Sequence, residues 1–445
     1  MNSSAEPKAP RNVRGDNTRE IAARIVDRVL TQSSYVAPTL SAELDRNSQL
    51  APSDRHLITE VCYGVIRTYR GLIDCLSVHT PRGLNQKDGM VLAHLLVAAY
   101  QLLVLDKVPQ FAAVDSAVSG VRKLRGPRMA GFVNALLRRL AASGVRMAVP
   151  EGILKTAPDW LKRRLEKCVG HEEMLALLGI QESSGVLSFH PPLPSVRVLH
   201  GHPVPAWLAE AEPSRFAPNG YRVPGHGDLR QLEGRFTVQE EGAQLLAWLV
   251  GARPGERVLD ACAGRGNKAL LLAERVGSEG HVLASDLYAQ KLQVLAEDAR
   301  TAGLSVETEP VDWTAGTGTV PDEFDRVLVD APCTGVGTLR RRPEILLHLG
   351  ADDPKRMAQI SLAILRNAAS RVLASGRVVF AVCSVLPDEC EGVLAQVADL
   401  LELTPFEAPE LSGLLESGAS TLRLLPHRHG TDGYFVANLR KRTGA

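Results

Sequence analysis

The sequence predicts an α/β protein whose C-terminal domain carries a parallel or mostly parallel sheet with helices on both faces, preceded by an all-α domain and a small connecting α/β module. Three observations predict it. In RVLDACAGRGNK (257–268) the β-type pair Val258-Leu259 ends on Asp260 and small residues, and Gly264 and Gly266 lead into the helix-like LLLAERV. That is the outline of a first strand, a glycine-containing turn and a first helix in a nucleotide-type domain. VLVDAPCTGVG (327–337) and VVFAVCSV (378–385) then follow at the distances of later strands in one sheet, each with a cysteine at its strand end. Ahead of residue 140, apolar residues recur at three- and four-residue steps, as in Ile21, Ile25, Val29 and Leu57, Val61, Val65, the period of an amphipathic helix.

Composition sets the bounds. A chain of 445 residues exceeds one ordinary domain, so two or three are expected. Apolar content of 45% with 23% charged residues is that of a folded globular protein. The formal net charge of +1 neither favours nor excludes nucleic acid, because local clustering sets the binding field. The seven cysteines are scattered without paired metal-ligand spacing, which argues against a disulfide framework or a metal site and for reduced thiols. The polar N-terminus has no signal-like apolar core, and the longest apolar run, VLAHLLVAAY, contains His94 and is too short to span a bilayer. A soluble cytoplasmic protein follows, with no membrane partner, no metal, and a monomeric state.

Along the chain, residues 1–17 read as a disordered leader, being rich in Pro, Ser, Asn and charge. Residues 18–142 form the helical domain. Its last part, VRKLRGPRMAGFVNALLRRL, carries Arg122, Lys123, Arg125, Arg128, Arg138 and Arg139 and no acid. Such a run is either a solvated helical face or a surface that releases counterions from an RNA backbone. Residues 143–235 read as the connecting module, helical at first and then rich in Pro and Gly, and FTVQEEGAQLLAWLV (236–250) opens the C-terminal domain as a helix. Beyond 255, strands (RVLDAC, HVLASD, SVETEPVD, RVLVDAP, RVVFAVCSV) alternate with helices, including a long one around 354–374 and another beginning PDECEGV.

Asp260, Asp286, Asp312, Asp330 and Cys383 lie at or just after predicted strand ends, where ligands of open α/β sheets bind. Asp286, 26 residues after Asp260, suits the ribose hydroxyls of an adenosine-containing cofactor; the plainer alternative is a cap on the next helix. With GRG rather than a full GxGxxG, a single adenosine cofactor is favoured over a dinucleotide. Cys333 and Cys383 stand 50 residues apart at the ends of two strands. A lone cysteine there is ordinarily a small buried apolar residue. Two together suggest reactive thiols.

ITEVCYGVIRTY, a buried helix ending DKVP, and AVDSAVSGVRKLRGPRMAGFVNALLRRL resemble, in that order, the NusB-type RNA-binding domain. VLDACAGRGNK, DAPCTGVGTLRRRPE, CSVLPDE and LLPHRHGTDGYFVANL resemble the motifs of the Sun/Fmu family of RNA cytosine-5 methyltransferases, of the bacterial small-subunit ribosomal RNA type. The resemblance runs from about residue 19 to 441. It implies a Rossmann-like class I methyltransferase domain over 236–445, S-adenosyl-L-methionine as cofactor and small-subunit ribosomal RNA as partner. Carbon 5 of cytosine is too poor a nucleophile to take a methyl group unaided, so a thiolate must first add to carbon 6.

On these residues the resemblance implies Cys383 as that nucleophile and Cys333 as the thiol that helps resolve the adduct. Asp330 would bond the ring edge and stabilise the intermediate. Asp286 would hold the cofactor ribose and Asp312 would lie near adenine. Asp260 and the turn Cys262, Ala263, Gly264, Arg265, Gly266, Asn267, Lys268 would surround the methionine moiety, with Lys268 also within reach of the base. Arg340 and Arg341 would meet RNA phosphate, as would the Arg122, Lys123, Arg125, Arg128 surface.

The chain departs from the family pattern in four places. Its AGRGNK replaces the proline and a glycine of the usual APGGK turn, Val382 replaces the Thr before the nucleophile, and Cys390 stands where Asn is common. Arg265 is expected to neutralise the cofactor carboxylate in place of lost backbone contacts. The alternative function is an RNA-binding assembly or antitermination-like factor whose altered turn has cost it catalysis. A DNA cytosine methyltransferase is disfavoured, since those use the Pro-Cys thiol and have no need of Cys383.

Overall fold

The computed structural model describes residues 13–80, 83–84, 88–223 and 235–442. Residues 1–12 of the expected leader and 224–234 of the expected connecting module lie outside them. The chain divides into two compact units. One gathers the residues up to Asp159 with Ser183–Phe189 and Arg342–His348; the other gathers Trp160–Glu182, His190–Arg341 and the residues from Leu349 onward.

The first unit is helical: α1 (Val13–Gln32), α2 (Val36–Arg46), α3 (Pro52–Arg67), α4 (Tyr69–Val78), α5 (Gly89–Leu103), α6 (Gln110–Ala142) and α7 (Val149–Thr156). The first helix opens at Val13, ahead of the Thr18 start read from the sequence. Helix α5 is apolar all round and buried from Val91 to Leu103, so the other helices wrap it. Asp88 caps it, accepting from the Val91 N–H at 3.3 Å. The Tyr100 ring passes so close to Gly64 that a Cβ there would lie 2.0 Å from it, and its hydroxyl donates to Glu60 at 2.6 Å. Helix α6 is two helical halves joined at Gly126 (φ 76, ψ −178) and Pro127. Only glycine adopts that backbone readily, and proline brings no N–H to continue the ladder. The basic run therefore turns a corner rather than following one helix face. Helix α7, inside the stretch read as a connecting module, packs on α4 in this unit, its Thr156 hydroxyl accepting from the Arg70 N–H at 3.1 Å.

The remainder of that stretch contributes α8 (Asp159–Val169), α9 (His171–Leu177), the short strands β1 (Ile180–Ser183) and β2 (Val186–Phe189), and three strands of a four-stranded antiparallel sheet. These are β3 (Ser195–Val198), β4 (Glu212–Pro213) and β5 (Gly220–Arg222); β6 (Phe236–Val238) completes the order β4-β5-β3-β6. The helix expected over 236–250 is thus corrected at its start. Phe236-Thr237-Val238 are β-formers that pair with β3, and α10 (Glu241–Leu249) begins only where Glu240 accepts from the Ala243 N–H at 3.1 Å.

The second unit is dominated by an eight-stranded sheet. Its strands are β7 (Arg257–Asp260), β8 (His281–Asp286), β9 (Glu307–Pro310), β10 (Phe324–Asp330), β11 (Val372–Val382), β12 (Leu401–Leu403), β13 (Thr421–Leu424) and β14 (Tyr434–Lys441). They follow the order β9-β8-β7-β10-β11-β14-β12, with β13 also paired to β14. The strands from β9 to β11 are parallel and β14 is antiparallel. The near-continuous apolar runs of β8, β10 and the second half of β11 reflect burial on both faces, whereas β9, ETEP, is a polar edge. Between them lie α11 (Asn267–Val276), α12 (Ala289–Ala302), α13 (Ile345–His348, in the first unit), α14 (Asp353–Ala369), α15 (Glu391–Gln396) and, before β14, α16 (Pro426–His429). Two expected helices are shorter than read: α14 ends at Ala369 because Val372 already belongs to β11, and α15 starts at Glu391 because Pro387–Cys390 form a turn. Chain order reverses between β7 and β10, where Leu328 lies opposite Asp260, and this switch point opens the crevice at the carboxyl ends of the strands.

Two glycines shape the first turn at that edge. Gly264 (φ +59) has open space around its Cβ position, whereas a Cβ on Gly266 (φ +88) would lie 1.8 Å from Leu295 Cδ1. Gly264→Ala should therefore cost about 1 kcal/mol of backbone strain alone. Gly266→Ala should cost a further ~1–3 kcal/mol from the clash. Urea denaturation of the two variants checks this, and an equal loss in both would contradict the steric account.

Candidate active site

Parallel pairing of β7, β10 and β11 brings Asp260, Asp330 and Cys383 to one edge of the sheet. Asp330 sits opposite Ala381, and the Ala331 N–H donates to the Ala381 carbonyl at 2.8 Å. The segments just beyond these strands therefore run side by side. As a result the Cys333 and Cys383 sulfurs lie 3.3 Å apart, both partly exposed. The Cys333 thiol is pushed up, first by this contact with Cys383 and then by burial.

Lys268, in the first turn of α11, reaches across to Asp330 with Nζ 2.7 Å from Oδ2. Burial pulls its ammonium down, but Asp330 and then Asp260 together hold it above the ordinary lysine value. Asp260 itself is fully buried, and its carboxylate has no side-chain hydrogen-bond partner, only the Cys262 N–H set against it. Burial pushes its carboxyl up to about 7, Lys268 pulling back and Asp330 adding. A buried carboxylate left unpaired is costly and marks a position where a cation or donor would be bound strongly.

The first turn is latched to the second strand end. Ala263 N–H donates to the Ser285 carbonyl at 2.8 Å and Gly264 N–H to Asp286 Oδ2 at 3.0 Å. Asp286 Oδ1 accepts from the Tyr288 N–H at 2.9 Å, so the carboxylate caps the chain entering α12, and Lys291 Nζ approaches it at 3.3 Å. Beside it Leu287 and Tyr288 are more than half exposed, an apolar shelf of the kind a flat heterocycle covers. Asp312 is exposed beyond β9 and its carboxyl is held below its ordinary value by the Thr314 hydroxyl and N–H, at 2.6 and 2.9 Å. Cys262 lies beside Asp260 with its thiol pushed up by burial, and the Asn267 side chain donates to the Val238 carbonyl at 3.4 Å. Arg265 is exposed, and the acid that senses its charge is Asp298 on α12.

The basic residues divide. Arg340 Nε lies 2.5 Å and Arg341 Nε 3.1 Å from the buried Asp432 carboxylate, and Arg341 Nη2 donates to the Leu193 carbonyl at 3.1 Å. The pair expected to meet phosphate is thus engaged with a buried carboxylate, while both side chains stay partly exposed. In the first unit Arg122, Lys123, Arg125 and Arg128 are all exposed; Arg125 pairs with Asp88 at 2.7 Å and Lys123 with Glu20 at 3.5 Å.

Sequence reasoning missed the acids that hold this edge together. Glu389 is fully buried and accepts from the Thr334 N–H and hydroxyl, both at 2.6 Å, and from the Ser384 hydroxyl at 2.5 Å. Glu240 accepts from the Asp432 N–H at 2.8 Å and the Tyr434 hydroxyl at 3.0 Å. Gly433 N–H then donates to the Gly337 carbonyl at 2.8 Å, and Gly337 N–H to the Cys383 carbonyl at 3.0 Å. The available signal was an acid beside each motif: Glu389 in PDE after the second cysteine, and Glu240 in QEEG ahead of the apolar run of α10. Among the described residues no group of three or more His, Cys, Asp or Glu side chains is arranged to hold a metal ion, and no helix is long and apolar enough to cross a membrane.

Comparison with known proteins gives two family matches in chain order. The NusB family model matches residues 16–142, and the model described as 16S rRNA methyltransferase RsmB/F matches 247–440. The probable ribosomal RNA small subunit methyltransferase B of Synechocystis sp. is 32% identical over 455 residues, 96% of this chain and 99% of its own. The ribosomal RNA small subunit methyltransferase B of Pasteurella multocida is 30% identical, covering 96% of each chain. Among solved structures, that of PH0851 matches 98% of this chain and 100% of its own with a TM-score of 0.79 at 22% identity, a likeness of fold. NSun6 from Pyrococcus horikoshii with SFG matches 64% of this chain at a TM-score of 0.53 and 18% identity. Both family models in order, and curated relatives at this identity along nearly the whole length, mean that the chain belongs to the RsmB/F family of S-adenosylmethionine-dependent 16S rRNA methyltransferases, in the form that carries an N-terminal NusB domain.

Proposed function

We propose that this protein methylates carbon 5 of a cytosine in small-subunit ribosomal RNA through a covalent bond between Cys383 and carbon 6 of the base. The observation that carries the reading is the pair of thiols 3.3 Å apart beside the Lys268–Asp330 ion pair, at the switch point of the sheet. One thiol is a commonplace; two in contact at this edge suit a reaction that must both form and break a carbon–sulfur bond.

Cys383 Sγ adds to carbon 6, and the electron pair of the 5,6 double bond is drawn toward carbon 5. S-adenosylmethionine, when bound, supplies an electrophilic methyl group for that carbon. Asp330, held by Lys268, faces the ring edge and supports the charge that develops there. Loss of the carbon-5 proton then restores the double bond and expels the Cys383 thiolate, a departure assisted by Cys333. The cofactor fits the residues present. Asp260 would offer a buried carboxylate with spare accepting capacity to its cationic methionine end, with Cys262 to Lys268 forming the turn around it; Asp286 would exchange Lys291 for the ribose hydroxyls, and Asp312 would flank the adenine. The exposure of Arg265 beside Asp298 favours a role at the outer rim of the turn.

The proposed division of labour is supported by a NusB match over 16–142 and a methyltransferase match over 247–440. Residues 18–142 act as the RNA-binding domain, with Arg122, Lys123, Arg125 and Arg128 as its phosphate-facing surface, 143–235 connect, and 236–445 catalyse. The enzyme acts as a monomer in the cytoplasm.

Two expectations follow. In Cys333→Ala incubated with unmodified small-subunit ribosomal RNA and S-adenosylmethionine, a protein–RNA adduct should survive denaturing electrophoresis and vanish when Cys383→Ala is added. If no adduct forms, and the wild type transfers no methyl group to any assembly state of the subunit, the protein is an RNA-binding factor instead.

Cofactor affinity should also depend on pH. Asp260 titrates near 7 in the free protein, so its carboxylate is present above that pH and neutralised below it. Affinity should therefore rise with pH up to about 7, by at most about tenfold per unit, and level off above. Calorimetry near neutral pH should detect a proton released on binding, and Asp260→Asn should abolish both the release and the slope. A wild-type affinity that is flat between pH 6 and 8 would remove Asp260 from the cofactor site.

A further inference from the structure

The structure assigns to Glu389 the role of a positioning residue that fixes the separation of the two thiols. This rests on the reading of Cys383 as nucleophile and Cys333 as resolving thiol. Cys333 and Cys383 lie on different loops, after β10 and β11, and the strands stop short of both. Beyond Ala331 one backbone bond joins the loops, from the Gly337 N–H to the Cys383 carbonyl at 3.0 Å, and it lies four residues past Cys333. Thr334, next to Cys333, gives its N–H and hydroxyl to Glu389, while Ser384, next to Cys383, gives its hydroxyl to the same carboxylate. One buried anion therefore grips the residue adjoining each thiol, through three short hydrogen bonds.

The chemistry of the group suits a clamp. A carboxylate only accepts, and its two oxygens can take several donors at once, whereas an amide of the same shape has one accepting oxygen and presents two donors of its own. Burial pushes the Glu389 carboxyl up while the Ser384 and Thr334 donors pull it back, so the anion depends on those donors for its place in the interior. Turn geometry supplies the anchor: Glu389 N–H donates to the Leu386 carbonyl at 3.0 Å, and the neighbouring Gly392 N–H reaches the Pro387 carbonyl at 2.8 Å. Leu386 N–H in turn donates to Ser384 Oγ at 3.3 Å, tying the clamp back to the nucleophile loop. Glu389 touches no reacting atom in this scheme. It acts through Thr334 and Ser384.

A positional role predicts a defect in one step rather than in all of them. Adduct resolution needs both thiols at the base together, so loosening the clamp should slow release of Cys383 more than its attack. In Glu389→Gln, kcat should fall on the order of 100-fold, the scale of a misplacement of about 1 Å, with the KM for RNA unchanged and a covalent protein–RNA adduct accumulating. Thr334→Val with Ser384→Ala, which removes both hydroxyl donors and leaves the carboxylate, should reproduce the adduct. Cofactor affinity, set on β7 and β8, serves as the control for folding.

A readout independent of RNA separates geometry from catalysis. Phenylarsine oxide is chelated by two thiols held side by side, losing its oxygen as water while two arsenic–sulfur bonds replace two S–H bonds. Wild-type protein should bind it through Cys333 and Cys383, and Glu389→Gln should bind it at least about tenfold more weakly. Chelation as tight as wild type in Glu389→Gln would overturn the assignment, whatever happens to turnover. Weak chelation with normal adduct resolution would support the clamp and overturn the role of Cys333 on which it rests. Weak chelation in Glu389→Gln together with lost cofactor affinity, and wild-type chelation in the Thr334→Val, Ser384→Ala protein, would mean the glutamine variant is misfolded and would also overturn it.

Discussion

The buried ammonium of Lys268 is what lets two carboxylates share the edge of one sheet with two thiols. Asp330 touches it at 2.7 Å and Asp260 lies behind, with no side-chain hydrogen bond of its own. Taking charges out of water is unfavourable, and the attraction in a low-dielectric interior offsets that only when the partner is in contact. Removing the ammonium would leave two neighbouring acids uncompensated, which is destabilising to the extent that they are out of water. The position of Lys268 in the first turn of α11 depends on the tight entry through Gly264 and Gly266, and that entry in turn on the latch between Gly264 and Asp286. The altered turn keeps the two features this geometry needs, a glycine against Leu295 and a lysine two residues on.

A second theme is the use of buried glutamates to anchor loops. Glu389 holds the two cysteine loops, Glu240 caps α10 while gripping the 432–434 segment, and Glu173 accepts from the His427 and Arg428 N–H groups at the start of α16. Glu241 takes the Ser214 hydroxyl at 2.6 Å and the Arg222 guanidinium at 2.8 Å. In each case a carboxylate satisfies N–H or O–H groups that no strand or helix reaches, which is how irregular backbone is tolerated close to a reactive centre.

The large sheet was legible because parallel strands buried on both faces leave continuous apolar runs, each stopped by an Asp or Cys. The helical unit was legible because its core-facing residues recur with the helical period. What was not legible has a common cause. Phe236-Thr237-Val238 read as part of a helix, since three residues show no period and only pairing with β3 makes them a strand. Arg340 and Arg341 read as exposed cations because Asp432, which engages them, lies some ninety residues away. Glu389 drew no reading from the sequence, since its burial depends on two loops that meet only through the sheet. Of the site, the strand-end residues were visible from local pattern, and the groups that hold them in place were not.

The insertion of β14 bears on how the protein comes to be made. Strand β11, which leads into Cys383, has β10 on one side and antiparallel β14 on the other, with Val378–Val382 paired to Leu439–Phe435. Strand β14 is translated well after β11 and slots between it and β12, a strand with β14 as its neighbour in the sheet order. While the chain is still emerging, β11 therefore exposes an unpaired edge of valines and phenylalanine, and contacts this distant in sequence form slowly. The Gly433–Gly337 bond that steadies the Cys383 loop comes with the same late segment. The contacts around Cys333 and Cys383 are thus completed only by a segment made after the strands that carry Asp260, Asp286 and Asp330.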